Sequence, residues 1–223
     1  MIRDAIVVAR KDLRLELRGH RAVNALVPFV GAALLLFGFA FGPGRAQLQA
    51  IAPGLLWLAT LFAGVLALRA SFDAELEDGA LDELVLAAVD PAGIYLGKVA
   101  ALVLELLALQ ILTMLAAAAL FGLGTPGSIP ALLAISTAGV VGFGAVGATF
   151  AALASRARAR EALLPVLLLP LATPVLIGAV RATQEVLASE LDAAWTWVGL
   201  LVAFASLAVA GGVLSARWVL EAP

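Results

Sequence analysis

Two parts of this chain carry ionisable groups in an arrangement that could do chemistry. The stretch RASFDAELEDGALDELVLAAVDP, from Arg69 to Pro91, holds seven acids: Asp73, Glu75, Glu77, Asp78, Asp82, Glu83 and Asp90. Its one cation is Arg69, at the edge. Seven carboxylates without interleaved Lys or Arg are repelled by anionic head groups and project into water. Beside the apolar stripe Phe72, Leu76, Leu81, Leu84 and Val85 they have the pattern of a short helix inserted in a partner's groove; the same residues also fit a solvated acidic loop. The second part is Glu105, which stands inside a long apolar run with Gln110 and Thr113 after it. A carboxylate there is costly and marks a functional site by default. It reads either as a proton or cation site or as a hydrogen-bonded structural group, and a relay would need further ionisable groups at its depth, which the other apolar runs lack.

Other chemistries are excluded by composition. Without cysteine there is no disulfide, thiolate metal site or thiol nucleophile. The single histidine, His20, precludes a paired-imidazole metal or haem site within one chain. Residues 92–99, AGIYLGKV, approach the phosphate-cradling pattern G-x-x-x-x-G-K-[ST], but Ala92 and Val99 break it and no strand precedes it, so ATP is not bound that way. A net charge of −2 leaves no basic footprint for nucleic acid.

The elements that must position these groups are membrane spans. Of 223 residues, 63% are hydrophobic and 13% charged, against about a quarter charged in soluble domains. A span takes about 20 apolar residues, and six fit, at 22–42, 48–68, 94–121, 129–153, 162–182 and 194–215. The breaks between them are turn-like: GPGR, GTPGS, the basic SRARARE and the polar TQEVLASELD at 183–192. With the N-terminus inside, Arg3, Arg10, Lys11, Arg14, Arg18, Arg21, Arg69, Lys98, Arg156, Arg158, Arg160 and Arg217, 12 of the 14 Lys and Arg, fall on the inner side. The positive-inside rule therefore puts both termini and the acidic loop in the cytosol. The expectation is an all-α integral membrane protein, one permease-like domain over 1–223, with residues 1–21 as an N-terminal element, expected to stay attached, and 69–93 as a cytosolic loop.

Residues 1–21 form an amphipathic helix. Ile2, Ala5, Ile6, Ala9, Leu13 and Leu17 fall on one side at 3.6 residues per turn, and Arg3, Arg10, Lys11, Arg14 and Arg18 cluster on another. This predicts an interfacial helix with its arginines among anionic head groups, turning upward near Gly19 or His20, either as a plain anchor or also touching a partner. In the acidic loop, Ser71 to Asp78 predicts one short helix, Gly79 a left-handed stop, and Ala80 to Val89 a second; Asp90 caps the next span with Pro91 at its first position.

Two spans carry unusual backbones. Gly139, Gly142, Gly144 and Gly147 give the fourth span small-xxx-small faces, predicting close packing inside the bundle or against a second protomer. Pro165, Pro170 and Pro174 in the fifth remove amide donors and crowd the carbonyls of Glu161, Val166 and Pro170. They predict a kinked or broken helix, suited to a gate or lateral pocket or simply to a bend.

These residues together resemble the permease subunits of ABC-2 type ATP-binding-cassette transporters. More narrowly, APGLLW at 52–57, the loop series Phe72, Glu75, Asp78, Gly79, Leu81, Asp82, Leu84 with Lys98 after it, and LLPVLLLPLATPVLIGAV are similar to the CcmB family of system I cytochrome c maturation. The resemblance spans nearly the whole chain. It implies an inner-membrane permease, present as a dimer, working with an ATPase subunit like CcmA, haem-handling subunits like CcmC and CcmD, and the periplasmic haem chaperone CcmE. ATP–Mg would be bound and hydrolysed on the ATPase, and haem would be held by the partners. The acidic island would be the coupling helix, with Phe72, Leu81 and Leu84 in the ATPase groove, Glu75, Glu77, Asp78 and Asp82 at its basic rim, and Gly79 at the bend. ATPase closure would tilt spans two and three, and the kinked fifth and Gly-rich fourth would rearrange toward the partner interface. Three other readings stay open: an ABC-2 permease for another hydrophobic molecule, a proton-coupled transporter using Glu105, and a non-transporting scaffold.

Overall fold

The computed structural model describes residues 1–19, 21–42, 44–77, 90–121, 128–155 and 160–220. Among them every regular element is helical: α1 (Ile2–Gly19), α2 (Arg21–Ala40), α3 (Arg45–Glu77), α4 (Pro91–Phe121), α5 (Ile129–Ser155), α6 (Arg160–Leu187) and α7 (Leu191–Leu220). Helices satisfy every backbone group internally, as a hydrocarbon environment requires. Five stretches are long and apolar enough to cross a bilayer: Ala46–Arg69, Pro91–Phe121, Ile129–Ala154, Val166–Leu187 and Leu191–Trp218. The first expected span, 22–42, falls on α2, whose described side chains include the apolar stretch Val27–Ala40. Among the described residues, the other five expected spans each match a long apolar helix. α2 stops where the sequence predicts, at the GPGR turn: Gly42 takes a φ of 71°, and the Phe41 and Gly42 amides bond back to the carbonyls of Phe37 and Phe39 at 3.0 and 3.3 Å. Glycine enters that left-handed region without a Cβ clash.

α5 sits at the centre and packs on α3, α4, α6 and α7, most broadly on α7. Its glycines each meet a different neighbour. A Cβ on Gly139 would run into the Trp57 ring of α3, and one on Gly147 into Leu68 of the same helix. Gly142 faces Phe204 and Ala205 of α7 and Val175 of α6, and Gly144 faces Leu102 and Val103 of α4. In return Phe143 fills the space left by Gly64 of α3. Trp57, Leu68 and Phe143 are all fully buried by this interlocking. Of the two placements the glycines allow, inside the bundle or against a second copy, the described helix occupies the first.

α6 runs without interruption through Pro165, Pro170 and Pro174, so of the two expectations, a kink or a break, the break is excluded. Leu168, Ala172, Val175, Ala179, Ala182 and Val186 form its buried face, while Pro170 and Pro174 lie on the exposed side, where their rings do not disturb packing. The polar break expected at 183–192 is present but shorter, at residues 188–190. α6 continues to Leu187 with Thr183 and Val186 buried, and the turn is confined to a Schellman motif. There the Glu190 N–H donates to the Glu185 carbonyl at 2.9 Å and the Ser189 N–H to Val186 at 3.1 Å, with Ser189 left-handed at φ 65°. α7 is the helix most open to lipid. Trp195 and Trp218 are exposed near its two ends, about 34 Å apart along the axis at 1.5 Å per residue, a spacing that suits the aromatic belts of a bilayer.

Candidate functional site

The helices on either side of the acidic segment both extend beyond a bilayer's thickness. α3 has 33 residues, about 50 Å against a hydrocarbon core of about 30 Å. Its apolar span ends at Arg69, yet the helix continues to Glu77. The separate short helix expected at Ser71 to Asp78 is therefore corrected: residues 71–77 prolong α3. No Gly or Pro interrupts RASFDAELE, and Ala, Leu and Glu favour a helix as well in water as in lipid. Phe72, Glu75 and Glu77 lie on this prolongation, whereas Asp78, Gly79, Leu81, Asp82 and Leu84 lie outside the described residues. α4 begins as the sequence predicts. Asp90 Oδ1 accepts the Ala92 N–H at 3.1 Å, the Ile94 N–H bonds the Asp90 carbonyl at 3.0 Å, and Pro91 is the first helical residue. With 31 residues, α4 is about 46 Å long and also overhangs the core by roughly ten residues.

α1 docks on the Pro91 end of α4. Gly93 lies against Met1 and Asp4, Gly97 against the Ala5 carbonyl and Val8, and Lys98 against Asp12, so the two chains run in the same direction across the contact. The Lys98 Nζ stands 3.6 Å from Asp12 Oδ2, with the Lys98 side chain only 3% exposed and Asp12 13%. Lys11 joins the same carboxylate at 3.2 Å. At the other end the Met1 amine lies 2.8 Å from Asp4 and 3.5 Å from Asp90; the Asp4 hydrogen bond first, then the two negative charges, raise its pKa.

The docked edge differs from the apolar side of the wheel. Asp4, Ala5, Val8 and Asp12 face α4, with Val8 buried, while Ile2, Ile6 and Val7 stay exposed together with Arg3, Arg10 and Arg14. Arg18 lies on the α1 backbone, and His20 is outside the described residues. The residues that sequence reasoning misses are therefore Val8, Asp12, Gly93 and Gly97. The signal is G-xxx-G at 93–97, a close-approach pattern present in the same eight residues set aside as a failed phosphate loop. Tyr95, between those glycines, ties the dock to the core: its OH donates to the Ala145 carbonyl at 3.0 Å, and its ring fills the notch left by Gly212 on α7.

Deeper in the bundle a polar seam joins α3, α4 and α6. Trp57 Nε1 donates to Thr183 Oγ1 at 3.1 Å. Thr60 Oγ1 lies 2.9 Å from the Leu56 carbonyl and 2.8 Å from the Gln110 side-chain amide; its single proton goes to the carbonyl when the amide presents its NH₂. The Thr113 hydroxyl donates to Leu109 at 2.8 Å. Glu105 is half-buried on α4, beside the buried Leu106. Among the described residues the buried polar side chains are Thr60, Gln110, Thr113, Ser136 and Thr183, all neutral, and Lys98, which is charged and belongs to the α1 dock. No cluster of three or more His, Cys, Asp or Glu placed to hold a metal ion occurs among the described residues.

A cleft of about 450 Å³ opens between α3 and α6, lined by apolar residues from Gly54 to Leu61 and Leu176 to Val180, with Arg181 and Gln184 at one end. Trp57 is part of its wall, so the Trp57–Thr183 bond braces the two helices there. Pro170 and Pro174 lie on the exposed face of α6, and Pro165 lies on its backbone further toward Arg160.

Comparison with known proteins follows the same extent of chain. The family model for CcmB protein matches residues 3–217. Heme exporter protein B of Pseudomonas aeruginosa is 34% identical over 216 residues, covering 94% of this chain and 95% of that protein. Its counterpart of the same name in Bradyrhizobium diazoefficiens is 31% identical over 189 residues, 82% of each chain. That of Paracoccus denitrificans is 33% identical over 181 residues, covering 78% of this chain and 80% of the relative.

Proposed function

This chain belongs to the CcmB family, and on that premise we propose that it is the membrane permease subunit of an ATP-binding-cassette complex in cytochrome c maturation. Haem is the molecule this complex handles, and a partner subunit hydrolyses ATP. The observation that carries the mechanical part of the proposal is the continuity of α3 from Arg45 through Glu77, opposite the capped start of α4 at Asp90. Two stiff arms bracket the acidic segment, so a push on that segment reaches the core without being absorbed in a loop.

In this reading both termini and the acidic segment face the cytosol, in the bacterial inner membrane. An ATPase like CcmA receives Phe72, Leu81 and Leu84 in its groove and Glu75, Glu77, Asp78 and Asp82 at its basic rim, with Gly79 setting the bend. Its closure tilts α3 and α4. The cleft between α3 and α6 is where that tilt first changes the shape of the bundle, which gives the exposed proline face of α6 a role toward a second copy or the haem-handling subunits like CcmC and CcmD. Release of the chaperone like CcmE is the outcome of the cycle. ATP–Mg sits on the ATPase and haem on the partner subunits.

The test is affinity purification from the native membrane, wild type beside Asp78→Lys with Asp82→Lys, with the partners identified by mass spectrometry. The proposal expects an ATPase and haem-handling subunits with wild type, and loss of the ATPase alone from the variant. An absence of ATPase from the wild-type complex, under conditions that keep other such complexes intact, overturns it. Glu105→Gln separates it from the proton-coupled reading, since that substitution abolishes function only if Glu105 carries the proton.

A further inference from the structure

We propose that the cleft between α3 and α6 binds one anionic phospholipid, with an acyl chain along its walls and the phosphate on Arg181. The cleft measures about 450 Å³, within the usual size of a ligand site. Leu58 and Leu61 of α3 and Leu176, Ile177 and Val180 of α6 line it. Trp57 backs it; the residue is buried and its indole N–H is engaged by Thr183 at 3.1 Å, so the ring adds an apolar surface. The mouth is open. Leu58 is 40% exposed and Ile177 55%, and a Cβ added at Gly54 would meet no atom within 4 Å. Both walls belong to apolar spans, so the medium at the mouth is the bilayer, and acyl chains are what reach it.

Arg181 supplies the selective contact. It is the one cation in the span Val166–Leu187 and it is exposed. Its guanidinium reaches the Gln184 side-chain oxygen at 3.5 Å, the outer limit of a hydrogen bond. A guanidinium has five N–H donors in a fork that matches a phosphate, and a cation within a span is costly until an acceptor meets it. Its depth follows from its own helix. α6 ends at Leu187 and turns through 188–190, an open backbone that hydrocarbon does not admit, and the exposed Trp195 lies just beyond as an interfacial anchor. Arg181 is about 9 Å short of that end at 1.5 Å per residue, so its long stem carries the charge to the phosphate layer of that leaflet. From there Ile177 and Leu176 lead toward the middle of the bilayer, the direction an acyl chain takes. A choline head group would bring a second cation beside Arg181, which favours a lipid of net negative charge. An occupied cleft holds α3 and α6 at the spacing that the Trp57–Thr183 bond spans, so the lipid acts as a removable brace.

The test is photo-crosslinking of the full protein in phosphatidylcholine nanodiscs. These contain a trace of phosphatidylglycerol bearing a diazirine on one acyl chain, and adducts are mapped by peptide mass spectrometry. The expected adducts concentrate on Leu58, Leu61 and Ile177 and are displaced by unlabelled phosphatidylglycerol. The matching phosphatidylcholine probe shows no such preference. Arg181→Gln lowers the yield at these positions by about tenfold or more, the loss of one charge-assisted hydrogen bond, whereas Arg181→Lys retains most of it. Gly54→Leu, whose side chain enters the open space, blocks the adducts with Arg181 intact. Adducts on Leu207, 74% exposed on α7, report ordinary surrounding lipid and stay constant in every variant. Cleft adducts that respond to both lipids as Leu207 does overturn the proposal, as does a yield unchanged by Arg181→Gln. Displacement by haem at a lower concentration than phosphatidylglycerol also overturns it, assigning the cleft to a different anionic amphiphile. No ATPase is present, so the outcome is separate from that of the proposed function.

Discussion

Replacing Gly97 by leucine tests whether α1 is held by the approach of two backbones. A Cβ at Gly97 would lie 2.7 Å from the Ala5 carbonyl oxygen and 2.7 Å from Val8 Cβ, whereas carbon atoms pack best at about 3.5–4.0 Å. α1 must back away by about 1 Å, and a gap of that size forfeits a quarter to a half of each dispersion well across the dock. Overpacking of this kind costs about 1–3 kcal/mol, and drawing Asp12 away from the buried Lys98 pushes the total to the upper end. About 3 kcal/mol lowers the docked-to-undocked ratio by roughly 150-fold. Cross-linking reads that ratio directly. Asp4→Cys with Gly93→Cys creates the one thiol pair in a cysteine-free chain; its Cβ positions, 3.0 Å apart, lie below the usual disulfide separation of about 3.5–4.5 Å, so the pair brings its own crowding and the Gly97 effect is read against this double variant. Closure is followed by loss of maleimide–polyethylene glycol labelling. In the Gly97→Leu background closure slows by about two orders of magnitude, while Gly199→Leu, where nothing lies within 4 Å of an added Cβ, leaves it unchanged. Equal closure rates with and without Gly97→Leu refute the reasoning.

Three further outcomes follow from the packing. Asp12→Asn removes the carboxylate beside the buried Lys98 and lowers the thermal midpoint of the detergent-solubilised protein, at a cost of about 1–3 kcal/mol; adding Lys98→Met recovers part of the loss, because the buried charge goes with it. Thr183→Val removes the acceptor of the Trp57 indole N–H and costs about 1–3 kcal/mol for a buried donor left unsatisfied, read as a lower unfolding midpoint. Ser189→Gly relieves the left-handed residue of the α6–α7 turn and raises the midpoint, with a gain of about 1 kcal/mol.

What the sequence discloses depends on whether a residue's role is local. The GPGR stop and the Asp90–Pro91 start of α4 are set by residues within a turn of one another, and both are legible. The extension of α3 to Glu77 is not, since polarity marks where lipid ends and not where a helix ends. The exact bounds of the α6–α7 turn escape for a related reason: it uses a left-handed serine where glycine would have advertised them. The α1 dock is least legible. Asp12 and Lys98 are far apart in sequence, and each reads alone as one more surface charge. Of the candidate coupling residues, the sequence names their type and order, and Phe72, Glu75 and Glu77 prove to share a helix with the second span.

The interlocking of α3 with α5 has a bearing on how this bundle can move. Trp57 sits in the notch of Gly139, Phe143 in that of Gly64, and Leu68 in that of Gly147, so three keys lie at different heights along one contact, two pointing one way and one the other. Sliding either helix by a single residue, about 1.5 Å, would drive all three side chains into backbone. Shear between these helices is therefore blocked, and the permitted motion is hinge-like: α3 and α5 turn together as one body, with Tyr95 pinning α4 and α7 to them. The seam left to open is the one that side chains bridge without a key, between α3 and α6.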